Sequence, residues 1–446
     1  MRPLYVQLYE EFRDKIIQGE YKTGSRLPSK RNLSADLNLS GTTIENAYEM
    51  LLDEGYIYSK PRSGYFVSQI EQLPITRKNE PKLIEKEMKT YTYEFKTAQV
   101  DLTHFPFAQF RQLSRKAFED ENTHLFMSGD KEGYWPLRQR IAQYVFNSRG
   151  VKCTPNQVIV GSSTEQLSEL LTEILKTSRF LIENPSYPPI RNVLEKKSIE
   201  YQNVPVIENG IDMDIVEQSD YEIVYVTPSH QFPTGEVMSI DNRTRLIKWA
   251  NKSGDRYIVE DDYDSEFRYF KKPLPALQSL DTKNKVIYVS TFSKSLFPAV
   301  RIAYMVLPVH LIQTFQTLKY KESSTVPLHM QWIVSEFLSS GKFDRHLNKM
   351  RKVYENKITY ILERLKKYPE ISVQGEKTGM HFVLTVRDGD LETILDRAEA
   401  ASLYIEPFKT YDEYTKSAKF VIGFGGVREK DLKAHMDVLI HVLLGF

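Results

Sequence analysis

The chain has 446 residues, 41% of them hydrophobic, and a formal net charge of +1 at pH 7. This length exceeds one ordinary domain, so we expect two or three. The near-neutral charge excludes attraction to nucleic acid or membrane through the protein as a whole, and any DNA binding must come from a local basic patch. A single cysteine, Cys153, excludes an internal disulfide and fits a reducing compartment.

Neither end of the chain carries a membrane or export signal. The N-terminus, which begins Met1-Arg-Pro-Leu-Tyr5, has no apolar signal core. The C-terminal apolar run, residues 438–444, is too short to span a membrane and contains a histidine. We therefore expect a soluble cytoplasmic protein with no membrane partner.

Residues 1–68 are predicted to form a winged helix-turn-helix domain. Apolar residues at helical spacing predict a helix over residues 4–18. Ser29 can cap a short second helix, and a third begins at Thr42 and ends at Gly55. Two short strands then form a hairpin. In this fold the last of these helices enters the major groove of DNA.

Eight polar or basic side chains of this block are candidates for DNA contact. Short polar groups open the last helix, and basic groups precede it or lie in the hairpin, where they can reach phosphates or base edges. They are Lys30, Arg31, Ser40, Thr42, Thr43, Asn46, Lys60 and Arg62. On pattern alone, the alternative is a small helical dimerisation module with a solvated charged face.

The sequence motifs of this block resemble those of the GntR family of bacterial regulators. The resemblance covers residues 3–67 and includes Leu27-Pro-Ser-Lys-Arg-Asn-Leu-Ser34, Thr42-Thr-Ile-Glu-Asn-Ala-Tyr48 and Ser63-Gly-Tyr-Phe-Val67. One departure is Lys30, where the family usually has glutamate. The resemblance implies a DNA-binding domain whose partner is promoter DNA.

Residues 69–93 are rich in lysine, glutamate, proline and threonine and lack an apolar period, which predicts a linker. From residue 94 to 446, short apolar runs alternate with helical segments. This alternation predicts an α/β domain with a mostly parallel sheet. The last part, from about 330 to 446, has longer helical stretches and predicts a smaller α+β subdomain.

A lysine at the end of a predicted strand is the first candidate for a reactive residue. Lys294 follows the apolar run 286–289, stands among hydroxyl residues and precedes Arg301 by seven positions. A lysine that forms a Schiff base with pyridoxal phosphate (PLP) must be held at such a place, beside groups that hold a phosphate. A lysine after a strand is more often simply solvated.

Two further segments fit the same cofactor. Asp261 and Tyr263 end another predicted strand, where a carboxylate can keep the pyridine nitrogen protonated and the phenol can bond the ring hydroxyl. Ser163 and Thr164 stand at a turn before a helix, where backbone N–H groups can bind a phosphate. The alternatives are a metal site or solvated loop for the acidic cluster and an ordinary helix cap for the turn. His230, in a proline-bounded loop, is interpreted as a packed loop residue.

These segments, in this order, resemble the fold-type-I PLP enzymes of the aspartate aminotransferase superfamily over residues 95–446. Matching pieces include Gly133-Tyr-Trp-Pro-Leu-Arg138, Asn184-Pro-Ser-Tyr187 and Phe232-Pro-Thr-Gly235. The resemblance implies that Lys294 forms the Schiff base, Asp261 pairs with the pyridine nitrogen and Tyr263 with the ring oxygen. It also implies that Tyr187 lies by the ring and that the phosphate is held by Ser163, Thr164, Ser293 and Arg301. Phe232 departs from the family, which has asparagine there.

The fusion of the two parts is similar to the MocR/GabR subfamily of bacterial transcription regulators, in which the PLP domain is a sensor and dimers are head-to-tail. The resemblance implies that Val421 stands where aminotransferases carry a carboxylate-binding arginine, and that Pro189 stands where the GABA-sensing member carries one. This favours the PdxR-like branch, which senses PLP and controls vitamin B6 synthesis. Arg191 or Lys419 could replace those arginines.

Three other functions stay open on the sequence. One is a regulator that responds to GABA or another amino acid. The second is an aminotransferase with a DNA-tethering domain, for which loss of the arginines argues against efficient turnover. The third is a PLP-like domain that serves only as a dimerisation scaffold. No metal site is predicted.

Overall fold

The computed structural model describes residues 3–69, 89–176, 178–269, 275–318, 323–409 and 417–446. They fall into two compact units, residues 1–88 and 89–446. Most of the predicted linker, residues 70–88, lies outside the described residues, and residues 89–93 belong to the second unit. No helix within the described ranges is long and apolar enough to cross a membrane.

The first unit is a winged helix-turn-helix, as predicted. Its apolar residues recur at helical spacing and form one core, in which Ile44, Ala47, Tyr48 and Leu51 of one helix are fully buried. The antiparallel wing pairs Ile57 with Val67. The helices are α1 (Leu4–Ile17), α2 (Lys30–Leu37) and α3 (Gly41–Asp53), and the strands are β1 (Ile57–Lys60) and β2 (Gly64–Val67).

Side-chain caps define the turn between α2 and α3. Ser29 and Ser40 each precede a helix, and their hydroxyls accept from the backbone N–H of Asn32 and Thr43, both at 3.2 Å. Asn38 ends α2 in the left-handed region at φ 55°. The turn therefore has fixed ends, which set the direction in which α3 leaves it.

The second unit contains a large sheet of eight strands, predominantly parallel as predicted. The strand order is β4-β11-β10-β9-β8-β5-β6-β7, and β7 and β11 run antiparallel to their neighbours. After β3 (Tyr93–Glu94) come β4 (Val158–Gly161), β5 (Phe180–Asn184), β6 (Tyr201–Ile207), β7 (Gly210–Ile211), β8 (Ile223–Val226), β9 (Tyr257–Asp262), β10 (Val286–Thr291) and β11 (Ala303–Val306).

Helices cover both faces of this sheet, which explains why its strands are apolar on both sides. The helices are α4 (Phe107–Ala117), α5 (Trp135–Arg149), α6 (Thr164–Leu175), α7 (Pro188–Lys196), α8 (Met213–Gln218), α9 (Ile240–Ala250), α10 (Val309–Gln316) and α11 (Leu328–Ser339). The side chains of β9 alternate: Tyr257 and Val259 pack with the core under α6, α7 and α10, whereas Ile258 packs with α8 and α9. Alternation places Asp261 on the α6 face.

The C-terminal part forms a smaller α+β subdomain. Its antiparallel sheet has the order β12-β13-β16-β15, and the two-residue strand β14 pairs in parallel with β3. The strands are β12 (Ile371–Gln374), β13 (His381–Asp390), β14 (Leu403–Tyr404), β15 (Glu406–Pro407) and β16 (Ser417–Gly423). The helices are α12 (Lys342–Leu365), α13 (Leu391–Ala400) and α14 (Leu432–Leu444).

Candidate functional site

A cavity of about 210 Å³ lies at the carboxyl ends of the parallel strands of the large sheet. All eight side chains predicted to bind the cofactor line it. They are Ser163, Thr164, Tyr187, Asp261, Tyr263, Ser293, Lys294 and Arg301. The remaining lining residues are Thr97, Ala98, Phe232, Thr291, Pro298 and His381. The strand ends thus bring together predicted residues that are up to 138 positions apart in the sequence, from Ser163 to Arg301.

Asp261 is a buried carboxylate with one oxygen engaged and the other without a partner. The Tyr225 hydroxyl donates to Oδ2 at 2.6 Å, and no group within the described ranges bonds Oδ1. Burial, reinforced by Asp262 and Asp264, raises the pKa of Asp261 to about 7, against the opposing bond from Tyr225. A cationic N–H donor in the cavity would satisfy Oδ1 and stabilise the ionised form.

Lys294 lines the same cavity and follows β10, the strand next to β9. Its side-chain nitrogen donates to the backbone oxygen of Thr97. Burial lowers the pKa of Lys294 to about 8, although the charge of Asp264 acts in the opposite direction. A lysine with this pKa has an appreciable fraction of neutral amine near pH 7, and only the neutral amine is a nucleophile.

Hydroxyls and a helix N-terminus form the third side of the cavity. The Ser163 hydroxyl caps α6 by accepting from the Gln166 backbone N–H at 3.1 Å. Ser293 accepts from the Thr291 hydroxyl at 2.9 Å. Arg301 is exposed and has φ 48°. Because α6 directs its N-terminal N–H groups here, this side suits an anion such as a phosphate. The cap and anion interpretations of Ser163 are therefore compatible.

The loop after β8 contributes an aromatic wall. Phe232 packs against Tyr187, Tyr263 and His381, with ring centroids 5.7, 6.3 and 5.2 Å apart. His230 is buried in the same loop, and its Nδ1 contacts both Asp264 carboxylate oxygens at 3.0 and 2.9 Å and the Tyr263 hydroxyl at 3.1 Å. Asp264 and His381 were not among the predicted site residues.

The two positions at which a carboxylate-binding arginine is replaced do not line this cavity, and neither do the two residues proposed as substitutes. Val421 is buried on β16, and Pro189 lies in the first turn of α7. The Arg191 guanidinium bonds the Tyr201 hydroxyl at 3.1 Å and the Asn203 side chain at 2.5 Å on β6. Lys419 lies over the ring of Phe408 and, like Arg191, is not a lining residue. Among the described residues, the lysines and arginines that line the cavity are Lys294 and Arg301.

The eight predicted DNA contacts in the first unit are mostly at its surface. Arg31, Ser40, Thr42, Asn46, Lys60 and Arg62 are exposed, and Thr43 is half-buried. Lys30 is half-buried and already paired: its ammonium bonds Glu45 at 2.5 Å and lies 5.4 Å from the centre of the Tyr65 ring. Lys60 lies over the rings of Tyr58 and Phe66. The basic groups therefore differ in how freely they can reach a phosphate.

The two units match two family models. Residues 4–67 match the gntR family of bacterial regulatory proteins, and residues 99–422 match aminotransferase class I and II. A solved structure of kynurenine aminotransferase from Pyrococcus horikoshii covers 80% of this chain and 91% of its own, with a TM-score of 0.71 and 22% identity. This likeness supports the fold of the second unit.

Several transcription regulators match this chain along almost its whole length. The regulator YdeL of Bacillus subtilis is 36% identical over 97% of this chain and 95% of its own length. The rhizopine catabolism regulatory protein MocR of Rhizobium meliloti is 29% identical, covering 98% and 93%. The pyridoxine biosynthesis regulator PdxR of Corynebacterium glutamicum is 28% identical, covering 96% and 93%.

A DNA-binding helix-turn-helix joined to an aminotransferase fold defines a class of transcription regulators that use PLP. Within that class, this chain belongs to the MocR/GabR subfamily of the GntR regulators, as predicted. Its cofactor is PLP. The residues of the cavity fit this group, since the unpartnered oxygen of Asp261 can accept from a pyridine N–H and Lys294 lines the same cavity.

Proposed function

We propose that this protein senses PLP itself and controls the transcription of vitamin B6 synthesis. The observation that carries the proposal is the absence of a carboxylate-binding arginine from the described lining of the cavity, beyond Arg301 on the phosphate side. An amino-acid effector needs a cation for its carboxylate, and arginine provides the matching planar pair of donors. PLP needs no such group. The PdxR relative of Corynebacterium glutamicum, named for pyridoxine biosynthesis, supports the same choice.

The proposed roles of the cavity residues follow from where they stand. Bound PLP supplies an aldehyde carbon and an electron-withdrawing ring. Lys294 is the attachment point, Asp261 accepts from the ring nitrogen and Tyr263 donates to the ring oxygen. Tyr187 and Phe232 border the cavity as aromatic walls. The phosphate is assigned to the side formed by the N-terminus of α6, and its proposed ligands are Ser163, Thr164, Ser293 and Arg301.

The first unit is proposed to read promoter DNA through α3 and the wing. Thr42 and Asn46 are exposed in the first turns of α3, where they can meet base edges or phosphates, and Ser40 and Thr43 open the same helix. Lys30, Arg31, Lys60 and Arg62 are assigned to phosphates. We propose a head-to-tail homodimer as the regulatory unit, because a two-fold protein matches two operator half-sites.

The test is a binding measurement with the full-length protein and an operator fragment that the wild type enriches from genomic DNA. Affinity is measured without ligand and with PLP, pyridoxamine phosphate, GABA and a panel of amino acids. We expect PLP to change operator affinity, and operator DNA to change PLP affinity by the same factor, because coupling between two sites is reciprocal. An effect of GABA or another amino acid, with none from PLP, would contradict the proposal.

An enzyme assay separates the sensor from an aminotransferase tethered to DNA. The lysine and the aspartate that such chemistry requires are both in the cavity, so the holoprotein is tested for steady-state turnover with paired amino donors and keto acids. We expect no sustained turnover, because substrates without a carboxylate anchor are poorly oriented. Sustained turnover would favour the enzyme function.

A further inference from the structure

We propose that His230 is a positioning residue for the cofactor: together with Asp264 it fixes the Tyr263 hydroxyl so that this hydroxyl donates to the ring oxygen of PLP. The proposal deepens the proposed function and rests on it, since it takes Tyr263 as the donor. It gives a role to a loop histidine that the sequence pattern presents only as a packed residue.

The geometry brings one ring nitrogen into contact with oxygens of two different residues. His230 Nδ1 lies 2.9 Å from Asp264 Oδ2 and 3.1 Å from the Tyr263 hydroxyl. The His230 and Tyr263 rings are stacked, with centroids 5.9 Å apart and planes at 25°. His230 and Asp264 are each 1% exposed, so water does not compete for these bonds.

The chemistry of the three groups decides the direction of the bonds. A carboxylate only accepts, so His230 Nδ1 carries a proton and donates it to Asp264. The same N–H faces the oxygen of Tyr263 and cannot accept the phenolic proton. That proton is therefore left for another acceptor, and Tyr263 borders the cavity. Burial and the charges of Asp264 and Asp261 raise the pKa of Tyr263 well above its ordinary value, so the phenol keeps the proton it is to donate.

This arrangement matters because of Phe232. Phe232 lines the cavity with an aromatic ring that has no hydrogen-bond donor, at the position where the superfamily resemblance leads one to expect asparagine. The orientation of the Tyr263 hydroxyl then carries more of the binding to the ring oxygen. A donor held in place by a buried pair loses less conformational freedom on binding than a mobile one.

His230, Asp264 and His381 together have ligand atoms within 4.8 Å of one another, which could also suit a metal ion. Tetrahedral zinc with bonds of about 2.0–2.1 Å holds its ligand atoms roughly 3.3 Å apart. His230 Nδ1 and Asp264 Oδ2 are closer than that, at 2.9 Å, which is a hydrogen-bond distance. Burial, together with His230 and Lys294, lowers the pKa of His381 well below its ordinary value, so His381 adds no charge.

A pH measurement on this group must consider every ionisable neighbour. Each of these neighbours interacts electrostatically with Tyr263, Asp264 or His381. They are Glu183, Asp261, Asp262, Arg268, Tyr269 and Lys294. Because several groups act on the same pocket, a matched set of variants is needed rather than one titration.

The experiment is a pH titration of the visible absorption band of lysine-bound PLP in the full-length holoprotein. A hydrogen-bond donor stabilises the ring oxygen most after that oxygen has lost the proton that it shares with the lysine nitrogen. Removing the donor therefore raises the pH midpoint of the band. We expect His230→Leu to raise it by about half to one pH unit.

A near-isosteric variant is the control. In His230→Asn the amide nitrogen stands near the place of Nδ1 and can still donate to Asp264, so its midpoint should stay near that of the wild type. Tyr263→Phe should shift the midpoint at least as far as His230→Leu, and the double variant no further, because both remove the same bond. If His230→Leu does not fold, His230→Gln provides the second measurement, because its amide group stands near the place of Nε2 rather than Nδ1, and an upward shift is again expected.

The outcomes separate this inference from the proposed function. A wild-type protein that forms no visible band with PLP refutes the cofactor roles of the proposed function. If the band forms but its pH midpoint is unchanged in His230→Leu, only the role of His230 is refuted. The same holds if the midpoint shift of the double variant equals the sum of the two single shifts. Stoichiometric zinc binding that requires His230, Asp264 and His381 would also overturn it.

Discussion

The two units of this protein place their polar side chains in opposite environments. In the DNA-binding unit, the candidate contacts are mostly exposed, and the core beneath them is apolar. In the PLP-binding unit, Asp261, Asp264 and His230 are buried, and Asp261 Oδ1 has no partner in the described residues. Exposed groups act additively through charge, whereas buried groups depend on specific neighbours. Single substitutions should therefore have large effects in the cavity and graded effects on the DNA-binding surface.

The largest expected effect is at the attachment lysine. Lys294→Ala should abolish the visible absorption band of the holoprotein, because a methyl group cannot bond the aldehyde carbon. Lys283→Ala, at an exposed loop lysine of the same unit, should leave the band intact. Absorption spectra of the purified proteins after incubation with PLP check both, and a band that survives Lys294→Ala would assign the attachment to another group.

The next effect tests how closely the buried cluster is packed. Gly379 has φ 71°, and a Cβ there would lie 2.0 Å from His230 Cε1 and 2.4 Å from Asp264 Oδ2. Gly379→Ala should therefore destabilise the second unit by about 2–4 kcal/mol. Gly254→Ala, where a Cβ meets nothing within 4 Å, is the control.

Tryptophan fluorescence during denaturation measures this stability in the right unit. All three tryptophans of the chain, Trp135, Trp249 and Trp332, lie in the second unit, so the first unit does not contribute to the signal. Equal denaturation midpoints for Gly379→Ala and Gly254→Ala would show that the cluster can relax.

A smaller effect is expected at a neighbour of Asp261. The Tyr225 hydroxyl donates to Asp261 Oδ2 and stabilises the ionised carboxylate, and Tyr225→Phe removes this donor. The pKa of Asp261 should then rise above about 7, and PLP affinity at pH 7 should fall by about tenfold. Because the ionised form binds the ring nitrogen, the pH at which affinity increases should move upward. Tyr288→Phe, which loses a bond to Asp262 instead, is the matched control.

The smallest effects are expected on the DNA-binding surface, and they should rank by how free each cation is. Arg31→Ala should weaken duplex binding and reduce the salt slope by about 1. Lys30→Ala should do less, because Glu45 already neutralises Lys30, and Glu45→Gln should strengthen binding. Fluorescence anisotropy at several salt concentrations tests the order; a larger loss from Lys30→Ala than from Arg31→Ala would contradict it.

The sequence predicted both folds, because local patterns carry them: helical spacing and caps in the first unit, and apolar strands between helices in the second. It also selected eight residues that the structure brings together around one cavity, since these follow strand ends or caps. It missed Tyr225 and His381, whose contacts with Asp261 and His230 join residues that are far apart in the sequence. A tyrosine inside an apolar strand carries no local sign that it bonds a carboxylate 36 positions away. The pairing of Lys30 with Glu45 was missed for the same reason.

The contact between Lys294 and Thr97 connects the cavity to the segment with which the chain enters the second unit. Thr97 lies three residues after β3, the first strand that the chain forms beyond residues 70–88, and β3 pairs with β14 of the C-terminal subdomain. Any ligand that takes the Lys294 nitrogen competes with the Thr97 oxygen for it. Ligand binding to Lys294 therefore breaks a hydrogen bond to the segment that follows β3, and occupancy of the cavity is coupled to the contacts of that segment.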